Sequence, residues 1–306
     1  MLYKMRKNLP FLLMVLPGFI WLLVIKYLPM AGVVIAFKDF RYYPGGFINS
    51  LLKSEWVGFD NFRFLFASND AKVIIRNTLG YNIIFIITGT VLAVSFAIML
   101  NELTNHRLSK IYQTSMFFPY FLSWVIVSYF VFTFLSIDKG VVNNILVSMG
   151  REPVSWYSET KWWPFFLVLI NNWKNVGYST VFYLAAIVSI DKAYYESAML
   201  DGAGKWKQII YITLPHLKPM IITLTVLAVG RIFNADFGLF YNVPKESGPL
   251  FPVTNVIDTY VYRGLMKTGD VGITTATGLL QSTVGFIMIM LTNAIIRKVD
   301  KENSIF

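Results

Sequence analysis

Long apolar runs separated by shorter polar segments dominate the hydropathy pattern of this 306-residue chain. A helix needs about 20 mostly apolar residues to cross the hydrocarbon core of a bilayer, and each span must satisfy its own backbone hydrogen bonds there. The pattern therefore predicts an all-α integral membrane protein with six transmembrane helices. The six predicted spans are 11–36, 78–100, 112–135, 163–189, 217–239 and 273–296.

The first apolar run has some features of a signal peptide, because Lys4, Arg6 and Lys7 precede it. No small-residue cleavage pattern follows, and apolar residues continue beyond Pro29. We therefore expect an uncleaved helix.

Composition agrees with a membrane protein and excludes several kinds of chemistry. The chain is 56% hydrophobic and only 14% charged, whereas typical soluble domains are about 25% charged. It has no cysteine, which excludes disulfides and thiolate chemistry, and its two histidines are far apart in sequence, so no metal site is expected. The net charge of +10 is explained by Lys and Arg beside membrane helices, without nucleic acid.

Six spans place both chain ends on the same side of the membrane. With 1–10 and 297–306 in the cytoplasm, the inner segments carry the higher density of Lys and Arg, as the positive-inside rule requires. The same orientation makes 37–77 an extracellular loop and places the loop 194–215 in the cytoplasm.

That loop, YYESAMLDGAGKWKQIIYITLP, has more specified structure than a connector needs. A helical reading places four of its apolar residues on one face, namely Met199, Ala203, Trp206 and Ile210. Asp201 and Lys205 can pair one turn apart, and Gly202 permits a sharp change of direction. Pro215 is expected to end the segment before the next span.

Two interpretations of this amphipathic segment remain open from periodicity alone. One is an interfacial helix lying on lipid, and the other is a helix docked in a groove of a partner protein. Small residues around Met199 and Leu200, such as Ala198 and Gly202, favour docking because they suit a tight socket.

The loop resembles the "EAA" loop of permeases of type I ABC importers, whose pattern is E-A-A-x3-G-x9-I-x-L-P. Glu196–Ser197–Ala198, Gly202, Ile212 and Leu214–Pro215 stand at this spacing, with Ser197 in place of the second Ala. The resemblance covers about 57–300 and is greatest to the carbohydrate-uptake branch. It extends to four further stretches: Asn77–Thr78, Phe117–Trp124, Leu184–Ala186 and Asp258–Arg263. The last stretch resembles permeases for oligo- and polysaccharides.

The resemblance implies a type I importer fold with an ABC transmembrane type-1 domain at 73–296. It makes the loop a coupling helix in which Glu196 and Gly202 hold the shape of an elbow. The implied contact with the ATPase is made by Glu196, Ser197, Ala198, Met199, Leu200, Asp201, Gly202 and Ala203.

The resemblance also implies an assembly. Its other members are two cytoplasmic P-loop ATPase subunits, an extracellular substrate-binding lipoprotein and a second homologous permease that forms a heterodimer with this chain. The sequence contains no GxxxxGK[ST] motif, so we expect the ATPase subunits to bind ATP and Mg²⁺, and this chain to hold no cofactor and no enzymatic site.

Polar residues within the apolar runs are candidates for the cargo pathway, because they are costly in lipid. The predicted pathway residues are Asn171, Asn172, Trp173, Lys174, Asn234, Gln281 and Tyr120. Amides suit sugar hydroxyls and an indole suits a pyranose face; the alternative is that these groups bind neighbouring helices. Arg231 and Asp236 are predicted to form a structural or gating ion pair.

Three other functions compete with an oligosaccharide importer. A membrane-embedded transferase would need a carboxylate pair or metal ligands, whereas Asp236 is the lone carboxylate within the predicted spans. A channel or secondary transporter often shows internal repeats, and none is visible. A type I permease for a non-sugar solute would also carry an EAA loop.

Overall fold

The computed structural model of the chain describes residues 2–67 and 69–299. The chain divides into two compact units, which are Met1–Ser68 with Val261–Leu280 and Asn69–Tyr260 with Gln281–Phe306. The first unit contains a long N-terminal helix and a small two-stranded ribbon, and the second contains the candidate functional residues. Of the predicted C-terminal segment 297–306, residues 297–299 belong to the last helix, and residues 300–306 lie outside the described residues.

The N-terminal part of the first unit is a long helix that changes its winding three times, followed by a short ribbon and two short helices. Its elements are α1 Leu2–Leu22, a π turn Leu23–Tyr27, α2 Leu28–Met30, a 3-10 turn Ala31–Phe37, β1 Lys38–Asp39, α3 Gly46–Lys53, β2 Glu55–Trp56 and α4 Asp60–Ala67. Apolar side chains along the helix are exposed, for example Phe11 at 69% and Met14 at 79%. Such a surface suits lipid and not water.

The end of this long helix is fixed by side chains of the following segment. The Asn61 amide donates hydrogen bonds to the carbonyls of Ala36 and Lys38 at 2.9 and 3.0 Å. β1 and β2 pair antiparallel, and Phe37 stacks on Trp56 with centroids 5.7 Å apart. The carbonyls freed where the helix stops are therefore satisfied.

The second unit is a bundle of helices of very different lengths. Its elements are α5 Asn69–Asn101, α6 His106–Phe117, a 3-10 turn Phe118–Phe121, α7 Trp124–Leu135, α8 Val141–Ser148, a 3-10 turn Trp156–Ser158, α9 Trp163–Val188, α10 Lys192–Leu200, α11 Lys205–Gln208, a π turn Ile209–Thr213, α12 Leu214–Val229, α13 Phe237–Asn242, a 3-10 turn Gly248–Leu250 and α14 Phe251–Thr254. α15 Ile257–Thr268 and α16 Val271–Val299 contribute residues to both units.

α5 and α9 form the centre of the second unit. Ala93 and Ala97 of α5 are fully buried in one cluster with Val176, Tyr183 and Ile187 of α9. Small residues let membrane helices approach closely, which maximises their van der Waals contact where no hydrophobic effect separates helix from lipid. This packing holds the facing polar residues of α5 and α9 in register.

Helix lengths and compositions support four to five spans among the described residues, against the six predicted. The four unbroken candidates are Phe11–Phe37, Ala71–Asn101, Lys205–Val229 and Val271–Lys298. α9 is long enough to cross a bilayer but carries a polar stretch at Asn171–Asn175.

The third predicted span, 112–135, is wrong as a single helix. α6 and α7 meet at an angle of 100°, with Pro119 in the 3-10 turn between them. Proline has no N–H to continue the helical ladder, and the Ser123 hydroxyl starts α7 by accepting the Ile126 N–H at 3.3 Å. Hydropathy alone did not reveal this break.

The fifth predicted span, 217–239, is displaced along the chain. The helical run begins at Lys205 and ends at Val229, so Pro215 does not end the loop but lies in the first turn of α12. A π turn, Ile209–Thr213, precedes that proline. The chain then leaves the helix at Gly230, and the residues from Arg231 to Asp236 lie in a break.

We predict that Gly177→Ala destabilises the protein. α9 approaches α6 so closely that a Cβ at Gly177 would lie 1.8 Å from the Met116 carbonyl oxygen, and forced overpacking costs about 1–3 kcal/mol. The matched control is Gly80→Ala on α5, where a Cβ meets nothing within 4 Å. Thermal unfolding in detergent should show a lowered midpoint for the first variant alone; equal midpoints would contradict the close contact.

Candidate functional site

A polar cavity of about 480 Å³ lies within the second unit. Its polar lining comes from α5, α9 and the segment after α12: Asn82, Thr90, Asn175, Tyr178, Ser179, Arg231 and Asn234. Amides and hydroxyls offer both hydrogen-bond donors and acceptors. The rings of Phe85 and Phe182 complete the wall with apolar faces.

The α9 wall of the cavity follows from helical spacing. Asn175, Tyr178, Ser179 and Phe182 are three, four and seven positions apart along the chain and therefore share one face. The Asn175 amide is oriented by donating to the side-chain oxygen of Asn171 at 3.0 Å. One face of a long helix thus presents an amide, a hydroxyl and two rings to the cavity.

Stacked aromatic rings form one end of this wall. Tyr120 and Tyr178 stack with centroids 4.4 Å apart and planes within 9°, and Phe117 stacks on Tyr178 from 6.1 Å. Tyr120, predicted as a pathway residue, is therefore joined to the cavity through Tyr178. Flat rings in this arrangement can pack against the face of a sugar ring.

Asn82 of α5 holds the chain break that forms the opposite wall. Its side-chain amide donates to the carbonyls of Ile232 at 2.8 Å and Asn234 at 3.1 Å. These two carbonyls have left the helical ladder and would otherwise be unpaired. The break is therefore a built feature that presents Arg231 and Asn234 to the cavity.

Two further side chains secure the same break. The Gln281 amide donates to the Phe233 carbonyl at 2.8 Å, and the Asp258 carboxylate accepts the Ala235 N–H at 2.7 Å. Burial raises the pKa of the Asp258 carboxyl, while the bonds from Ala235 and Gln281 oppose that rise. Gln281, predicted as a pathway residue, thus serves as a brace and does not line the polar cavity.

Lys174 is bound within the protein and does not face the polar cavity. Its ammonium donates to the carbonyls of Pro119, Tyr120 and Leu122 at 3.3, 2.7 and 2.6 Å, and the residue is 6% exposed. These carbonyls belong to the break between α6 and α7. Lys174 therefore supports the fold there, and its predicted contact with cargo has no basis in this geometry.

Its neighbours on α9 also point away from the polar cavity. Asn172 donates to the Thr88 hydroxyl at 2.9 Å, which joins α9 to α5. Trp173 is 49% exposed and lines two other cavities that are mainly apolar. The predicted stretch 171–174 therefore supports the cavity but does not line it.

The predicted ion pair between Arg231 and Asp236 is not formed in the part of the chain that the structure describes. Asp236 instead accepts the Trp124 indole N–H at 2.9 Å and caps α13 through the Leu239 N–H at 3.3 Å. The Lys174 ammonium lies 5.2 Å from the Trp124 ring centroid. The Asp236 carboxylate is thus oriented by α7 and α13, and Arg231 remains on the cavity side.

Several lining residues were missed by sequence reasoning. Asn82, Thr90, Asn175, Tyr178 and Ser179 line the cavity, yet none was predicted. A usable signal existed on α9, because Asn175 and Ser179 continue the helical face at four-residue steps. For α5, the polar residues are single and separated by apolar ones, so only the packing against α9 reveals that they face inward.

The predicted coupling loop is an elbow of two short helices. α10 ends in a Schellman motif, in which the Ala203 N–H bonds the Ala198 carbonyl at 2.8 Å and the Gly202 N–H bonds the Met199 carbonyl at 3.0 Å. Gly202 has φ of +76°, the left-handed conformation that this motif requires. The predicted single apolar stripe is therefore interrupted at Gly202.

The far side of the elbow is tied to the body of the second unit. Gln208 is buried and donates to the Ala203 carbonyl at 2.9 Å. Lys205 forms an ion pair of 2.8 Å with Glu102, which follows α5, and not with Asp201 as the sequence suggested. The side chain of Glu196 has no hydrogen-bond or ion-pair partner among the described residues, so the turn of the elbow does not depend on it.

The elbow presents large apolar side chains to the outside. Leu200 is 90% exposed, Met199 is 55% exposed and Trp206 is 78% exposed. Glu196, Ser197, Asp201 and Gly202 are also exposed, whereas Ala198 and Ala203 are half-buried. The predicted contact residues thus form a continuous protruding segment.

Long apolar helices around a polar cavity, joined to a protruding elbow, define a membrane transport subunit. Residues 86–301 match the family described as "Binding-protein-dependent transport system inner membrane component". The chain belongs to this family, and it is a type I ABC importer permease.

Related proteins and solved structures match nearly the whole chain. It is 36% identical to Protein LplB of Bacillus subtilis over 95% of this chain and 89% of that protein. It is 34% identical to the polygalacturonan/rhamnogalacturonan transport system permease protein YteP of Bacillus subtilis over 99% and 92%. It also matches a chain from the crystal structure of a bacterial ABC transporter that imports the acidic polysaccharide alginate, with TM-score 0.87 and 33% identity, covering 97% and 98%.

We predict that Lys174→Met destabilises the α6–α7 break. Methionine fills a similar volume but leaves three carbonyls without their charged donor. A hydrogen bond to a charged group contributes about 1.5–3 kcal/mol. Lys139→Met is the control, because Lys139 is exposed. Thermal unfolding in detergent should separate the two variants by several degrees, and an unchanged midpoint for Lys174→Met would refute the bracing role.

Proposed function

We propose that this permease carries oligosaccharides or complex glycans inward across the cell membrane of a prokaryote. The observation that carries the proposal is the cavity itself, where neutral amides and hydroxyls stand beside stacked rings. Sugar hydroxyls need such donors and acceptors, and their carbon-bound hydrogens pack on aromatic faces. A site for a small apolar solute would not need so many polar groups.

The relatives support a glycan as the cargo. YteP is described as a permease for polygalacturonan and rhamnogalacturonan, and the solved importer takes up alginate. Both cover more than nine tenths of this chain, so the similarity includes the cavity. A non-sugar solute remains the competing cargo.

The proposed complex contains proteins that this chain does not supply. A second structure of the alginate importer, with TM-score 0.86 to this chain, contains a periplasmic protein that holds an alginate pentasaccharide. By analogy an external substrate-binding lipoprotein delivers cargo here. A second, homologous permease completes the pathway, and two cytoplasmic ATPase subunits bind and hydrolyse ATP with Mg²⁺.

The elbow is proposed to contact the ATPase subunit. Leu200 at 90% exposure is a costly surface for water, and a socket on a partner would bury it. Asp201 and the backbone turn at Gly202 lie directly after it. This assignment places the elbow and both chain ends in the cytoplasm, in accord with the positive-inside rule.

In transport, the elbow would then act as an element with two alternative positions. ATP binding favours one arrangement of the ATPase pair, and the elbows move with it, so that the cavity opens alternately to each side. Such a shift requires only that ATP bind one state better than the other.

Gly202→Val should uncouple ATP hydrolysis from uptake. A β-branched residue is strongly disfavoured at positive φ, by about 1–2 kcal/mol, while a Cβ itself would meet nothing within 4 Å. Gly202→Asn is the matched control, because asparagine tolerates this conformation. In proteoliposomes, Val should reduce uptake per ATP hydrolysed several-fold and Asn should retain most of it; full coupling by the valine variant would exclude the elbow's role.

Co-purification tests the assembly and the cargo together. We expect the tagged chain, solubilised gently from its native membrane, to bring down a second permease and a P-loop ATPase that mass spectrometry identifies. The accompanying binding protein should then bind oligosaccharides in a glycan array. Recovery of the chain alone in several detergents, or a binding protein that ignores glycans, would contradict the proposal.

A further inference from the structure

The lining of the polar cavity includes one charged residue, Arg231. The Arg231 side chain is exposed and has no hydrogen-bond or ion-pair partner among the described residues. It lines the polar cavity of about 480 Å³ and a second cavity of about 650 Å³ beside Ser282 and Phe286. Arg231 lies two residues beyond the apolar helical run Lys205–Val229, and ionisable residues in or beside such runs usually mark a functional site.

The nearby carboxylates are already engaged elsewhere. Asp236 accepts the Trp124 indole N–H and caps α13. Asp258 accepts the Ala235 N–H and lies 3.3 Å from the Gln281 amide nitrogen. Neither residue lines the polar cavity. The other lining residues are uncharged, so Arg231 gives the cavity its positive charge.

We propose that Arg231 selects cargo that carries carboxylates, so that the preferred glycans are acidic oligosaccharides built from uronic acids. The inference rests on the proposed function, because it assigns the class of glycan to the same cavity. The amides of Asn82, Asn175 and Asn234 would bind the neutral hydroxyls, and Arg231 would bind the charged group.

The chemistry of arginine suits this role. Its planar fork binds a carboxylate through two parallel hydrogen bonds, and it is less strongly hydrated than a lysine ammonium. A neutral sugar would leave the guanidinium without this charged, two-pronged partner, which is the basis of discrimination against it. The break after Gly230, held by the Asn82 amide, fixes the backbone position from which the Arg231 side chain extends.

The same charge could instead meet a lipid phosphate or a carboxylate of the second permease. Both would make Arg231 a structural residue whose loss affects every cargo equally. Only a contact with the cargo makes the effect depend on the cargo's charge. The ratio of acidic to neutral uptake therefore distinguishes the sources.

The experiment uses the complete importer in liposomes, with its partner permease, ATPase subunits and binding protein. Radiolabelled trisaccharides of galacturonate, mannuronate and glucuronate are compared with their carboxyl-reduced, neutral counterparts. The variants are Arg231→Gln, which removes the charge, and Arg231→Lys, which keeps it without the fork. Arg151→Gln is the control, because Arg151 is an exposed arginine that does not line the cavity.

We expect Arg231→Gln to lower uptake of the acidic trisaccharide that the wild type prefers by at least about tenfold, with neutral uptake within about twofold. Acidic uptake by Arg231→Lys should lie between that of the wild type and that of Arg231→Gln, and Arg151→Gln should match the wild type. Assembly is checked by gel filtration and by ATP hydrolysis without cargo. Equal losses for acidic and neutral sugars, or no loss, would overturn the role of Arg231.

Two wild-type results separate this inference from the proposed function. Uptake of neutral saccharides with rejection of every acidic one would overturn the inference and leave the glycan permease intact. Failure to take up any saccharide in a complex that hydrolyses ATP would overturn both.

Discussion

The hydrogen bonds from Lys174 to the break between α6 and α7 are the constraint on which the rest of the second unit depends. The chain bends by 100° between α6 and α7, which leaves carbonyls of the turn outside the helical ladder, and the buried Lys174 ammonium donates hydrogen bonds to them. Its position fixes Tyr120, which stacks at the edge of the cavity, and Trp124, which orients Asp236 and thereby starts α13. A charge inside an apolar helix thus organises two helix starts.

The class of protein could be predicted from sequence because it depends on long-range averages and on one strict motif. Apolar runs longer than a bilayer is thick, together with the spacing from Glu196 to Pro215, identified a type I importer permease, and the family match confirms it. The helix breaks were missed, because a window of hydropathy stays high when Pro119 or Gly230 interrupts the backbone. Local geometry at those positions is set by partners distant in sequence.

The candidate cavity was only partly predictable, and the reason is physical. A polar residue in an apolar run needs a partner, but its identity does not say whether the partner is cargo or protein. Lys174, Asn172 and Gln281 found protein partners, whereas Arg231 and Asn234 line the cavity. The distinction follows from three-dimensional neighbours, such as Asn82, which no local pattern connects to the residues some 150 positions later.

The continuous helical run Lys205–Val229 connects the elbow to the cavity wall. At 1.5 Å per residue, its 25 residues form a rod about 37 Å long. Lys205 lies at one end, and the break that contains Arg231 lies just beyond the other. Pro215 and Pro219 both lie in this run, and the chain stays helical across both of them. A tilt of about 5° at the elbow would therefore sweep the far end of the rod by about 3 Å, as a lever does. A tilt of the elbow that carries Leu200 would thus move the cavity wall that carries Arg231.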